Sequence, residues 1–114
     1  MSEEQSTRIM RLIKVHSGVL DGLYDAKYGL ENVEKALDKA ISIMRNNPDI
    51  CDEDIKDIYK ELKDVKRKIA EIIKVLEHAK DEFDEKCQEE LTRLNITFET
   101  YVYYLFKDYF PQQQ

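Results

Sequence analysis

The fold of this chain is decided by residues 9–44, which read IMRLIKVHSGVLDGLYDAKYGLENVEKALDKAISIM. In this stretch apolar side chains recur in alternating steps of three and four residues, with one polar member. The stripe consists of Ile9, Leu12, His16, Val19, Leu23, Ala26, Leu30, Val33, Leu37, Ala40 and Met44. This period places the side chains on one face of a helix and is typical of coiled-coil-like packing.

The stretch RNNPDICDED, residues 45–54, interrupts this pattern. Pro48 cannot continue a helix interior, and it biases Asn47 away from helical angles. The same stripe resumes at Ile55 and continues to Leu105, with two successive four-residue steps through Cys87. Such a stutter locally relaxes a supercoil. The sequence therefore predicts a first helix over about 4–46, a turn over 46–51 and a second helix over about 52–94.

Two long amphipathic helices joined by a short turn lie antiparallel, because each then covers the apolar stripe of the other. We therefore predict an all-α fold, a long antiparallel helical hairpin with a C-terminal aromatic helix over about 96–110. Two helices bury little surface, so intramolecular packing of that third helix or dimerisation must complete the bundle. Residues 1–114 are predicted to form a single helical domain with a disordered tail at 111–114.

The charge distribution restricts the classes of partner. The chain carries a net charge of −6, and no block of Lys and Arg forms a phosphate-binding surface. The acidic net charge and the lack of a basic block therefore argue against nucleic acid as a partner. The N-terminus lacks the order of a signal peptide, and the longest apolar run, Tyr101 to Phe106, is too short to span a membrane. These features predict a cytoplasmic protein that does not enter a membrane.

Gly18, Gly22 and Gly29 interrupt the first helix, each at a cost of up to ~1 kcal/mol relative to Ala. One interpretation is a kink or break near residues 18–22. The other is close approach of another helix along this face. A phosphate-binding loop is excluded, because no glycine-rich motif follows a strand.

His16 is the polar member of the first stripe. A polar residue at a core position commonly sets helix register or oligomeric state, so His16, Gly18 and Gly22 are predicted register or dimer-core residues. Arg11 and His16 also form an Arg-x4-His spacing that resembles the signature of the HEPN ribonucleases. That resemblance implies a helical nuclease in which the two residues meet across a dimer, although Leu12 stands where the family usually has a polar residue.

No other constellation predicts chemistry. Val75 stands where a Glu-x-x-His di-iron motif ending at His78 needs glutamate, and the acidic run 49–57 lacks the glycine and spacing of a calcium loop. Cys51 and Cys87 are predicted to be free thiols, because they lie far apart on a helix. We predict no enzymatic activity, no metal and no cofactor.

The C-terminal stretch FETYVYYLFKDYF, residues 98–110, holds seven of the eleven Phe and Tyr residues. On a helical wheel one broad face continues the stripe of Leu91 and Leu94 and is predicted to be core; it comprises Phe98, Tyr101, Val102, Leu105, Phe106 and Tyr109. Tyr103, Tyr104 and Phe110 point off that face. Because the segment is apolar on much of its circumference, it must bury more than one side. The predicted partner-binding residues are Tyr103, Tyr104, Phe106 and Phe110.

These patterns favour a non-enzymatic protein–protein interaction module, such as an adaptor, small assembly subunit or inhibitor, that forms a homodimer. A hairpin of this length with a tail also resembles the WXG100 family of type VII secretion. Tyr104 and Asp108 match that family's Tyr-x-x-x-Asp/Glu export signal, while its Trp-x-Gly turn is missing. The resemblance implies an exported substrate or partner as an alternative function.

Overall fold

The structure is a computed structural model that describes residues 2–50 and 53–107. Its elements are three helices, α1 (Glu3–Arg45), α2 (Glu53–Arg93) and α3 (Phe98–Phe106), with no strand among the described residues. The predicted all-α fold with a long helical hairpin is confirmed. The observed helix bounds lie within two residues of the predicted ones, except that α3 is shorter than the predicted 96–110. The predicted tail at 111–114 lies outside the described residues.

The antiparallel pairing of α1 and α2 is shown by three polar contacts between them. Lys27 Nζ lies 2.9 Å from Glu77 Oε1, Lys66 pairs with Asp38, and Arg45 Nε donates to the Tyr59 hydroxyl at 3.3 Å. In each pair the two residue numbers add up to 104. Within Tyr24–His78 this constant sum means that the two helices run in opposite directions in one register.

The predicted break near residues 18–22 is wrong, since α1 is continuous from Glu3 to Arg45. A helical glycine costs about 1 kcal/mol but clashes with nothing, and packing of an amphipathic face supplies most helical stability. A Cβ added at Gly18, Gly22 or Gly29 would meet no heavy atom within 4 Å. No other part of the described chain therefore approaches these glycines closely.

The chain divides into two compact units. The first comprises Met1–Leu23 and Ala79–Gln114, and its described part contains α3 together with one end of each long helix. Its core is formed by Ile9, Ile13 and Leu91, against which side chains of α3 pack. Here α3 supplies the third helix that the sequence required.

The second unit, Tyr24–His78, contains only α1, α2 and the turn between them. Asn47 Nδ2 donates to the Ile43 carbonyl at 2.8 Å and so closes the end of α1. Ile41 is the one hydrophobic side chain classed as buried among the described residues of this unit. Two helices without a third leave several stripe side chains of this unit more than 40% exposed, namely Val33, Ile58, Val65 and Ile72.

Within the described residues, every helix is too polar or too short to cross a bilayer.

Candidate functional site

The position of α3 is set by the way in which α2 ends. Asn95 adopts a left-handed conformation with φ 57°, which asparagine tolerates better than most residues. Its N–H donates to the Thr92 carbonyl, and the Ile96 N–H donates to the Leu91 carbonyl, both at 3.0 Å. This is a Schellman motif, in which the side chain after the left-handed residue packs back on the helix. Ile96 accordingly packs against the cluster that contains Leu91.

The start of α3 follows directly from this turn. Thr97 has extended backbone angles, and its hydroxyl accepts a hydrogen bond from the Thr100 N–H at 3.2 Å. Glu99 adds negative charge at the positive end of the helix dipole. A cap and a Schellman motif in immediate succession hold α3 in one orientation on its unit.

A polar cluster around the buried His16 fastens α3 from its inner side. His16 on α1 is only 4% exposed, and its Nε2 lies 2.8 Å from Asp84 Oδ1 on α2. Its Nδ1 lies 2.6 Å from the Tyr101 hydroxyl on α3. The ring also stacks on Phe83 and meets the Tyr101 ring edge-on. One imidazole therefore links all three helices of this unit.

One assignment of protons matches every donor in this cluster with an acceptor. Burial, with a smaller contribution from the negative charge of Asp84, raises the pKa of Tyr101, so the phenol keeps its proton at neutral pH. In the neutral tautomer that satisfies all three groups, Tyr101 donates to His16 Nδ1 and the Nε2–H donates to Asp84. No buried side-chain nitrogen or oxygen is left without a hydrogen-bond partner among the described residues.

This arrangement places His16 in the core, where the sequence put it, and it adds partners that the sequence did not identify. Asp84 and Tyr101 lie 68 and 85 residues away in the chain, so no local pattern connects them to His16. Arg11, the other residue of the HEPN-like spacing, is exposed. The role of His16 in register or oligomeric state stays a prediction.

The outer side of α3 presents aromatic side chains to solvent. Phe98 is 78% exposed, Tyr103 62% and Phe106 44%. At 100° per residue, Phe98, Val102, Phe106 and Tyr103 fall within one half of the helix circumference, whereas Tyr101, Tyr104 and Leu105 fall in the other half. We call the surface formed by Phe98, Val102, Tyr103 and Phe106 the α3 aromatic surface.

Two sequence predictions for this segment need correction. Phe98 is predicted to lie in the core but is 78% exposed, and Leu94 is also exposed. The cause is the left-handed turn at Asn95. It ends α2, and α3 begins with a new orientation, so the apolar face of α2 does not extend into α3. Tyr104 was expected to face a partner, and it is partly buried against the core cluster.

Tyr103 and Phe106 are exposed, as binding to a partner requires, whereas the prediction that Phe106 also belongs to the core face is wrong. The Tyr103 ring meets the Tyr104 ring edge-on at 5.3 Å, and Lys107 Nζ lies 5.8 Å from the Tyr104 ring centre. Phe110 and Asp108 lie outside the described residues. Whether Tyr103, Phe106 and Phe110 bind a partner stays a prediction.

Neither a metal site nor a reactive thiol emerges from the described residues. No group of three or more His, Cys, Asp and Glu side chains that could hold a metal ion occurs in 2–50 and 53–107. Cys87 is a free, buried cysteine, and burial raises the pKa of its thiol. A thiol with a raised pKa is a poor nucleophile at neutral pH. Cys51 lies outside the described residues.

Comparisons with protein-family models, with characterised proteins and with solved structures gave no significant match.

Proposed function

We propose that this chain is a non-enzymatic protein–protein interaction module that binds another protein through the α3 aromatic surface. The observation that carries the proposal is the exposure of Phe98, Tyr103 and Phe106 on one side of a helix whose other side is anchored. Large aromatic side chains are enriched at protein interfaces, because they bury much area and lose little conformational entropy.

The spacing on α3 indicates the shape of the partner's site. Phe98, Val102 and Phe106 follow each other at intervals of four residues, so they form a short apolar ridge along the helix. A ridge of this kind fits an apolar groove, as in other complexes where one helix lies in the groove of a partner. We infer that the partner presents such a groove to α3.

The anchoring of α3 favours binding, because little conformational freedom is lost when the partner docks. The Schellman motif at Asn95, the Thr97 cap and the bond between Tyr101 and His16 fix the helix beforehand. The unit that contains α3 holds eleven acidic and seven basic residues. Basic residues around the partner's groove would therefore complement this unit, and salt would slow association.

Binding experiments with matched variants test this proposal. Three chains would be immobilised: the wild type, a Phe98→Ala/Phe106→Ala variant and a Tyr28→Ala control. Each would be exposed to extract of the cells in which the protein naturally occurs. Tyr28 is an exposed aromatic on α1, so its replacement removes similar surface elsewhere. The proposal expects a protein that the wild type and the control retain and the double variant loses, with at least tenfold weaker affinity when that protein is purified.

Equal retention by all three chains would overturn the proposal, provided that circular dichroism shows the double variant to be folded. Folding is expected to persist, because the replaced rings lie on the exposed side of α3.

We further propose that the protein forms a homodimer and acts in the cytoplasm. Self-association is favoured by the second unit, where Val33, Ile58, Val65 and Ile72 of the apolar stripe are more than 40% exposed.

The two alternatives gain no specific support from the geometry. A HEPN-like ribonuclease needs His16 at a substrate, whereas His16 is buried and both ring nitrogens are already hydrogen-bonded. A type VII export signal needs an accessible Tyr104, which packs partly against the core. An assay on mixed RNA and a secretion assay on a Tyr104 and Asp108 variant would test these alternatives directly.

A further inference from the structure

We infer that a second copy of this chain docks on one flank of the second unit, Tyr24–His78, with its two-fold axis beside Ala36. This inference rests on the proposed homodimer and specifies its surface, orientation and register. It depends on α1 and α2 within this unit alone.

The two flanks of this unit differ in chemistry. One flank carries the polar contacts that join the helices, Lys27 to Glu77, Lys66 to Asp38 and Arg45 to Tyr59. The opposite flank is apolar in α1, and in α2 it carries four apolar side chains with the charged Glu61 and Lys68 among them. We call it the open flank. Its members in α1 are Ala26, Gly29, Val33, Ala36, Ala40 and Ile43, and those in α2 are Ile58, Val65, Ile72 and Val75.

These side chains share a flank because of helix geometry. In antiparallel helices, positions with the same angular offset from the contact line lie on the same side of the pair. The rotation about the helix axis is measured from a packed residue, Leu37 in α1 and Leu62 in α2. By this measure the same heptad position is shared by residues 26, 33 and 40 in α1 and by residues 58, 65 and 72 in α2. The exposed fractions agree, since Val33, Ile43, Ile58, Val65, Ile72 and Val75 are between 43% and 66% exposed.

The α1 part of the open flank is uncharged and small. From Ala26 to Ile43 its six members step by three and four residues and include one glycine and three alanines. A Cβ at Gly29 would meet nothing within 4 Å, so the space beside this glycine is open. Small side chains permit an incoming helix to approach closely, which compensates for the cost of a helical glycine.

The order of side chains along the flank indicates a second copy rather than a different protein. If an antiparallel copy of α1 lies on the flank with its axis at Ala36, Val33 faces Ala40 of the other copy. By the same symmetry, Gly29 faces Ile43. In the α1 row large side chains then meet small ones, so this row is self-complementary, as an isologous interface requires.

The same two-fold axis also relates side chains of α2 to those of α2 in the second copy. Because paired residue numbers in this unit add up to 104, Ala36 lies level with residue 68. Residue 68 lies midway between Val65 and Ile72, so these two side chains face each other across the same axis. Lys68 itself is ion-paired with Asp64 of its own helix at 3.1 Å, which offsets its charge near its symmetry mate.

The size and charge of the surface suit a dimer. The eighteen residues of each helix, 26–43 and 58–75, span about 26 Å, and two helices are about 20 Å wide, so each copy covers roughly 500 Å² and the pair roughly 1,000 Å². That total meets the lower bound for a specific interface. This unit holds thirteen acidic and eleven basic residues, so two copies repel each other only weakly.

The first test uses light scattering with size-exclusion chromatography on the full chain at 5–100 µM (a range of about twentyfold). The wild type is expected to elute as two chains of 13.6 kDa. Ala36→Glu places a charge at the two-fold axis and is expected to give a monomer, whereas Ser42→Glu on the outer face of α1 is expected to stay dimeric.

The second test fixes the register by cross-linking. In a Cys51→Ser background, Ala36→Cys is expected to form a disulfide-linked dimer under mild oxidation, because the two side chains meet at the axis. The matched control Ser42→Cys is expected to remain uncrosslinked. Cys87 can stay, since it is buried and burial raises the pKa of its thiol.

The outcomes separate this inference from the proposal on which it rests. A dimeric Ala36→Glu chain that is folded by circular dichroism, or equal cross-linking of both cysteine variants, would overturn the open flank as the interface while the homodimer stands. A monomeric wild type at 100 µM would overturn the homodimer and the inference together, and would leave binding through α3 to its own experiment.

Discussion

The unit that contains α3 buries Ile9, Ile13, Cys87 and Leu91 together with the polar His16, whereas the described residues of the other unit bury Ile41 alone. Both units are built from the same two helices and carry the same repeat of apolar side chains. They differ in what covers that repeat. A third helix, fastened by a hydrogen-bonded imidazole, closes the first unit, and no described segment of this chain does so in the second.

A heptad pattern therefore indicates which side chains lie on the packing face of a helix, but not whether another surface covers them. Val65 and Ile72 fit the pattern as well as Ile9 does, yet each is more than 40% exposed. The patterned but uncovered side chains are the surface that we assign to a second copy.

The largest expected effect comes from removing a fully buried side chain. Ile13 is 0% exposed, so Ile13→Ala should lower the free energy of unfolding by about 3 kcal/mol through lost transfer energy and a residual cavity. In dilute protein, Ile72→Ala should cost about 1 kcal/mol or less, because Ile72 is half-exposed. Urea denaturation of both variants measures the contrast.

Equal losses of unfolding free energy in dilute protein would contradict the difference in burial between the two units. A loss for Ile72→Ala that grows with protein concentration would support that difference, since the second unit would then gain its core by association.

A smaller effect is expected from the bond that fastens α3. Tyr101→Phe removes the hydroxyl that lies 2.6 Å from His16 Nδ1 and leaves that nitrogen buried without a donor. The free energy of unfolding should fall by about 1–2 kcal/mol. The matched control is Tyr103→Phe, an exposed tyrosine of the same helix, which should change stability by less than ~0.5 kcal/mol.

Hydrogen exchange would locate this effect. Faster exchange of α3 amides in Tyr101→Phe, with amides of residues 24–78 unchanged, is the expected pattern. Equally faster amide exchange in both units would contradict the view that the Tyr101–His16 bond stabilises the first unit alone.

Gly18→Ala should raise stability slightly. Gly18 lies inside α1, is exposed, and would tolerate a Cβ without any contact within 4 Å. The gain in the free energy of unfolding should be about 0.5–1 kcal/mol. Gly29→Ala has the same propensity gain but lies on the open flank, so it should stabilise the helix and weaken self-association. If both variants behave alike in thermal melts and in light scattering, the open flank has no special role.

The smallest effects are expected in alkaline solution, where two tyrosines act in opposite directions. Burial first, and then the charge of Asp84, raises the pKa of Tyr101, so its contribution to stability is complete below about pH 10 and is lost as pH rises through its folded-state pKa. The bond from Arg45 lowers the pKa of Tyr59, so its contribution appears as pH rises through its folded-state pKa and is complete above about pH 10.

Urea denaturation from pH 9 to 11 (about two units across the ordinary tyrosine range) checks these signs. Relative to the wild type, Tyr101→Phe should lose its stability deficit as pH rises, and Tyr59→Phe should acquire one. The same trend in both variants would contradict the assignments.

The sequence by itself determined the helical hairpin. Alternating steps of three and four residues, with Pro48 between two long repeats, define helix, turn and antiparallel pairing, because these depend on local periodicity and on the backbone limits of proline. The stripe also identified His16 as a core position and Cys87 and Leu91 as its continuation, all of which are buried.

Only the tertiary structure decided which aromatic side chains face solvent. The left-handed turn at Asn95 ends one helix and sets a new phase for the next, so Phe98 is exposed and Tyr104 packs inward. Likewise, Asp84 and Tyr101 became partners of His16 through contacts between distant segments, and the polar flank and the open flank became distinct through packing. Local periodicity defines a face for each helix, whereas burial depends on which other surface covers that face.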